Sequence, residues 1–371
     1  MRALRLYAGP TARQWITRHG LQSADVYAMA GAAGGPKGLI LGPLDRFIFG
    51  QWLSRSQQEV HLVGASIGAW RMATACLDDC VSAFQRLEHD YIRQDLQLEP
   101  GKSRPTPDLI SDQFGRNLKD FYGARVGEVL SHHRYRIHVV TSRGRHMLGR
   151  EHRVGTPLGY LGAFLTNSVH RRAMGAWLER VVFSTPHAAL PFVPNDYRTR
   201  QVSLDADNFH LALQASCSIP FMLRAIHHIP GAPAGAYWDG GITDYHLHLN
   251  YAGLGRKQGA SGKGTGTNSG ALVLYPHFQR AVVPGWLDKS LKWRHRPTHF
   301  LDNVLLLAPD PEWVRRLPNG KLPDRRDFVH YAHDLPGRIK AWSTAVAASR
   351  QLAEEFAQWL DRPDMARIDA L

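Results

Sequence analysis

Twice in its first seventy residues this chain runs a short apolar segment straight into a glycine-rich turn and then into a helical pattern. Residues 25–30 (DVYAMA) lead into 31–38 (GAAGGPKG), and residues 60–63, within EVHLVGAS, lead into 64–68 (GASIG). Strand, sharp turn, crossover helix and parallel strand are the parts of a βαβ unit. Repeating that unit sets both turns at one edge of a parallel sheet, where open α/β sheets bind ligands.

The remaining pattern extends the same plan. Apolar spacing predicts helices over 39–53, over 69–77 and, after a break, on to 91, with another over 209–215. Further strands are expected at 136–142, 180–184, 271–275 and 303–308, with a short one at 236–238 that stops at Asp239. The expected fold is a three-layer α/β/α sandwich around a mainly parallel central sheet. We expect a single domain over 1–371, its motif-bearing core at about 25–310. Residues 98–108 carry three prolines and a glycine and read as a loop, and 256–270 (RKQGASGKGTGTNSG) as a flexible surface loop. Residues 337–360 repeat apolar side chains at helical spacing and predict one closing amphipathic helix. Core packing is its expected role, because Glu354, Glu355 and Asp361 on its polar face do not suit an anionic membrane.

Composition excludes several classes. Apolar residues make up 44% and charged residues 21%, enough to bury a core and unlike a disordered chain. No apolar run is long enough to cross a bilayer or to serve as a secretory leader, so a cytoplasmic protein is expected. The three cysteines, Cys76, Cys80 and Cys217, are too few for a disulfide scaffold, and no ligand spacing around them forms a metal site. The formal charge of +13 favours anionic partners, and a transient contact with an anionic membrane surface suits it. Basic residues are scattered, without a nucleic-acid-binding pattern, so nucleic acid is not expected as a partner.

Gly64-Ala65-Ser66-Ile67-Gly68 fits the G-x-S-x-G pattern, in which glycines permit a sharp strand-to-helix turn that lifts a serine hydroxyl above the sheet. With 19 serines and 34 glycines, roughly 0.16 such matches arise by chance, so its place after a strand carries the weight. A serine needs a base to act as a nucleophile. Asp239, in Trp238-Asp239-Gly240-Gly241, is the candidate, although Asp-Gly also suits an ordinary hairpin turn. The turn Ala33-Gly34-Gly35-Pro36-Lys37-Gly38 is suited to converging backbone N–H groups on an anion. It is not a phosphate-binding P-loop, because Gly38 follows Lys37 where that motif needs serine or threonine.

Taken together, AGGPKG at 33–38, GASIG at 64–68, ASCSIPF at 215–221 and DGG at 239–241 resemble the patatin-like phospholipase family in order and spacing. The resemblance covers about residues 25–244. It implies a Ser-Asp dyad without a catalytic histidine, hydrolysis of lipid acyl esters through an acyl-enzyme, and no cofactor or metal. Position by position, Ser66 is the nucleophile, Asp239 the base, Gly34 and Gly35 with Lys37 the oxyanion donors, and Gly64, Gly68, Gly240 and Gly241 the motif glycines. Ala33 stands where the family has its first glycine, Pro36 has no N–H to give, and 242–249 (ITDYHLHL) lack the family's asparagine and proline. Two rivals remain at this level. One is a Ser-His-Asp esterase of the α/β-hydrolase kind with His277 as base; the other is a non-catalytic protein binding anionic lipid or nucleic acid. His246 and His248 are close enough to Asp239 in sequence to line the same pocket.

Overall fold

A computed structural model describes residues 1–95, 105–253 and 271–371 of the chain. Its centre is one ten-stranded, mostly parallel mixed sheet: β1 Leu4–Ala8, β2 Val26–Gly31, β3 Val60–Ala65, β4 Tyr135–Gly144, β5 Leu178–Ser184, β6 Thr199–Ser203, β7 Tyr237–Asp239, β8 Leu272–Pro276, β9 Val304–Pro309 and β10 Ile368–Ala370. The order across the sheet is β10-β1-β9-β8-β2-β3-β4-β5-β6, with β7 added on β4. Pairing is parallel except at β1/β9, β4/β5 and β4/β7. Every residue of β3, β5, β8 and β9 is buried, as in strands covered on both faces by other layers.

The two βαβ units form as the glycine turns predicted. β2 ends at Gly31, and the chain winds through an irregular run of helix: a 3-10 segment Gly35–Leu41, an α-turn Gly42–Phe47 and a π-turn Ile48–Trp52. A single regular helix over 39–53 is therefore corrected to three pieces. β3 runs into Ser66 and the helix Ile67–Ala75, followed by a second helix, Cys80–Arg93. The closing helix is likewise two, Leu335–Ala348 and Arg350–Asp361, hinged at Ser349, whose hydroxyl bonds back to the Val346 carbonyl at 2.7 Å. The hinge lets Trp342 and Val346 pack against Leu39 and Ile92 while Leu352, Phe356 and Trp359 enter the main core. Each such buried side chain contributes roughly 1.5–3 kcal/mol. This segment thus covers the core, as its acidic face suggested.

The 98–108 loop lies largely, and the 256–270 loop wholly, outside the described residues. The former ends at the helix Pro107–Tyr122, capped by Thr106. Among the described residues, no helix is long and apolar enough to cross a membrane.

Candidate active site

Ser66 sits at the sharp turn between β3 and the helix Ile67–Ala75, with φ 56° and ψ −130°. A residue with a side chain rarely adopts that conformation, and holding it costs about 1–3 kcal/mol. The turn also requires small neighbours. A Cβ on Gly64 would fall 2.4 Å from the Ala69 backbone, and one on Gly68 would fall 1.8 Å from the Gly31 carbonyl. The two βα turns are therefore packed backbone to backbone. Below the turn, the Ser66 N–H donates to Ser216 Oγ at 2.9 Å, and Ser216 Oγ donates to the Val140 carbonyl at 2.7 Å. Ser216 belongs to the 215–221 segment, which thereby ties the nucleophile turn to β4.

Asp239 reaches Ser66 through sheet register. β3 pairs with β4 up to Ala65 opposite Val140, and β7 pairs antiparallel along the same edge, beginning with Asp239 opposite Thr141. The two strands therefore meet end to end on one edge of β4, and the residues at their tips are neighbours. Ser66 Oγ donates to Asp239 Oδ2 at 2.7 Å, while Asp239 Oδ1 accepts the Gly241 N–H at 2.7 Å. Both side chains are buried. Burial raises the Asp239 carboxyl above its ordinary range, opposed by the positive charge of Arg325, the Ser66 hydroxyl and the Gly241 amide. A carboxylate so placed is a stronger base than a solvated aspartate.

The turn after Asp239 is anchored from beneath. Gly240 lies so close to β4 that a Cβ would fall 2.1 Å from the Val140 carbonyl. Thr243 bonds Asp244 Oδ2 at 2.8 Å and pairs with Ser142 at 2.8 Å, and the buried Arg180 grips Asp244 with Nε at 2.7 Å and Nη2 at 2.5 Å. The other side of the same guanidinium holds Asp196 at 2.7 and 2.8 Å. Opposing carboxylates on both sides keep Arg180 charged despite its burial. Asp244, within 242–249, thus belongs to an ion-pair anchor beneath the Asp239 turn.

The glycine turn adjoins the dyad. Ala33 donates its N–H to the Tyr245 carbonyl at 2.9 Å, and its Cβ occupies the space where a Cβ on Gly241 would fall, 2.6 Å away. Its amide is therefore committed, and a glycine there is not required. Gly34 and Gly35 precede and open the 3-10 segment, Gly35 at φ 56° and Pro36 within the first turn. First-turn amides have no intrahelical acceptor, so Gly34 and Gly35 supply N–H groups, whereas Pro36 loses nothing by lacking one. Lys37 stands with its Nζ 5.3 Å from the centre of the Phe278 ring, and burial lowers its ammonium from the usual range.

A cleft of about 430 Å³ opens on Asp239 and is lined by Gly34, Lys37, Ile219, Pro220, Tyr245, Trp286, Lys289 and Arg325, among others. Tyr245, Trp286, Lys289 and Arg325 had no local sequence signal. Lys289 lies 3.9 Å from the centre of the Tyr245 ring, and desolvation, then the charges of Arg325 and Lys37, pulls its ammonium down to about 8. No carboxylate forms an ion pair with Lys37, Lys289 or Arg325 among the described residues, while Asp324 on the same wall is held by Lys321 at 2.8 Å. Cys217 also borders the site: burial and the Asp239 charge raise its thiol far above the usual range, so it is no competing nucleophile.

The histidine alternative is corrected by the geometry. His277 is buried behind the glycine turn, its ring stacked on Phe278 and its Nδ1 engaged with Gln279, and burial holds it near 3. It bonds neither Ser66 nor Asp239. His246 packs on Tyr245, His277 and Phe278, and His248 meets Thr298, so neither lines the cleft. Among the described residues, no group of three His, Cys, Asp or Glu is placed to hold a metal. No protein-family model and no curated protein matches the chain.

Proposed function

We propose that this chain is a serine acyl hydrolase of the patatin-like kind, with the three-layer arrangement of that fold, cleaving lipid acyl esters at a membrane surface. The observation that carries the reading is the 2.7 Å hydrogen bond from Ser66 Oγ to a buried Asp239, made at a strained strand-to-helix turn. Asp239 takes the hydroxyl proton as Ser66 Oγ attacks the ester carbonyl. The oxyanion is held by the Gly34 and Gly35 N–H groups, with Lys37 adding positive charge, and the N-terminal end of the helix Ile67–Ala75 favours negative charge at Ser66. Asp239 then passes its proton to the departing alcohol, leaving an acyl-Ser66 ester. In the second half Asp239 deprotonates a water, which releases the acid and restores the hydroxyl.

Lys289 and Arg325, without carboxylate ion-pair partners among the described residues, favour an ester whose alcohol or acyl part carries an anionic group, as a phospholipid does. A fluorophosphonate probe tests the nucleophile. Labelling of the wild-type protein that disappears in Ser66→Ala and falls sharply in Asp239→Asn supports the dyad. An unlabelled Ser66 with salt-sensitive binding of anionic lipid or nucleic acid points instead to the non-catalytic reading.

A further inference from the structure

The helix Gly155–Val169 (GTPLGYLGAFLTNSV) holds no charged residue, and its sides are reversed from the ordinary pattern. The inner side, through Tyr160 and Ala163, packs against Trp238 and Leu148 in a second core cluster. The outer side exposes Leu158, Leu161, Leu165 and Val169 at 52–86%, with Val154 just before them at 61%. Spacings of four, three, four and four residues set these five on one stripe. A solitary exposed leucine is ordinary, but a stripe of five aliphatic side chains marks an interaction surface.

A second pair of exposed apolar side chains adjoins both this helix and the cleft. Phe221 and Met222 are half exposed, and the Phe221 ring meets Tyr160 of the same helix edge-on at 5.9 Å. They directly follow Ile219 and Pro220, which line the cleft. Phe221 is held at φ 68°, which for a bulky side chain costs free energy that an ordinary surface residue would relax away. Charge completes the pattern. Residues 145–172 hold five arginines and one glutamate, with Arg150 and Arg153 exposed before the helix and Arg172 exposed after it.

We propose that this face is a docking surface for an anionic phospholipid bilayer, its aliphatic stripe and Phe221 entering the acyl boundary and its arginines meeting the headgroups. That it delivers lipid to the cleft rests on the hydrolase reading above; the docking itself does not. Charge selects this occupant over a second copy of the chain. Arginines flank the helix at both ends, so pairing two such helices in either direction sets like charges together, whereas an anionic surface neutralises both ends.

Vesicle sedimentation with the Ser66→Ala protein measures docking apart from chemistry. Phosphatidylcholine vesicles containing phosphatidylglycerol should bind it, and pure phosphatidylcholine much less. The pair L161E/L165E should weaken binding by at least about tenfold. The pair R150Q/R153Q should weaken it about tenfold at low salt, with the gap closing as salt rises. In the Ser66-intact protein, both pairs should keep wild-type melting temperature and hydrolysis of a soluble p-nitrophenyl ester. Wild-type vesicle binding by L161E/L165E overturns the proposal, as does a wild-type dimer that this pair dissolves. Loss of soluble-ester hydrolysis only in Ser66→Ala upholds the dyad whatever the vesicles report. Conversely, vesicle binding without any ester hydrolysis upholds docking and sinks the hydrolase reading.

Discussion

The side of the site that carries Ser66 and Asp239 is made of strand tips, whereas the side that carries Lys289 and Arg325 is made of short turns and irregular chain. On the first, β3 and β7 are locked to β4 by consecutive register positions, and Ser216 fastens the nucleophile turn from below. On the second, Lys289 follows the 3-10 turn Trp286–Asp288, and Arg325 precedes the short helix Arg326–His330. Lys289 and Arg325 are exposed, in contrast to the buried dyad. Bond-making needs atoms held within a few tenths of an ångström, which a sheet provides. Recognising a charged group needs only field and reach, which side chains carried on loops supply.

Removing the nucleophile should do most damage on the rigid side. Ser66→Ala should lower kcat on a soluble ester by at least about 10³-fold with an unchanged melting temperature, and Asp239→Asn should do nearly the same. Comparable loss from a Lys289 or Arg325 substitution on an uncharged ester would erase the distinction between the two sides. Next in size is the anchor beneath Asp239. Arg180→Met leaves the buried Asp244 and the part-buried Asp196 without the cation they share, at about 3 kcal/mol, read as a fall in the urea midpoint.

Acid should act on the whole frame. His61 on β3 and His248 beyond the Asp239 turn are both pushed down to about 4 by burial, whereas an unfolded chain protonates its histidines near 6.5. Between those values the unfolded state holds more protons, so stability falls as pH drops from about 6.5 toward 4 and levels off below. On the order of 3 kcal/mol is lost for each such histidine, and urea midpoints at pH 7 and pH 4.5 measure it. A flat profile would show these histidines to be solvated.

The soft side should give the smallest and most selective effect. Arg325→Gln and Lys289→Met should raise KM for an anionic ester about tenfold while leaving a neutral ester within about twofold. Since Lys289 loses its proton near 8, that preference should also fade as pH rises past 8 in the wild-type protein and should not do so in Lys289→Met. Equal effects on both esters would reassign these residues to general structure.

The same division governs what the amino-acid order discloses. Strand-to-turn junctions leave local marks, apolar runs ending in glycine, so the parallel sheet, Ser66 and Asp239 were legible from adjacent residues. Lys289, Arg325 and the Arg180–Asp244 pair are brought to the site from segments dozens of residues apart, and nothing beside them in the chain signals it. The expected single helix over 337–360 failed for a related reason: periodicity continues through Ser349, but the two halves pack on different clusters, and only that packing bends the chain. Ala33 shows the reverse. Its departure from the motif looked costly, yet its amide is spent on Tyr245, which leaves Gly34 and Gly35 as the proposed donors.

Because β3 and β7 share one edge of β4 tip to tip, the distance between nucleophile and base is a ruler laid along that strand. Each residue of slippage is worth about 3.3 Å. A one-residue slip would turn Asp239 to the opposite face, and a two-residue slip would keep its face but carry it well beyond a proton's reach. On the proposed function, ester turnover would double as a gauge of strand alignment, and inserting a single residue in 140–142 should silence it even where the fold persists.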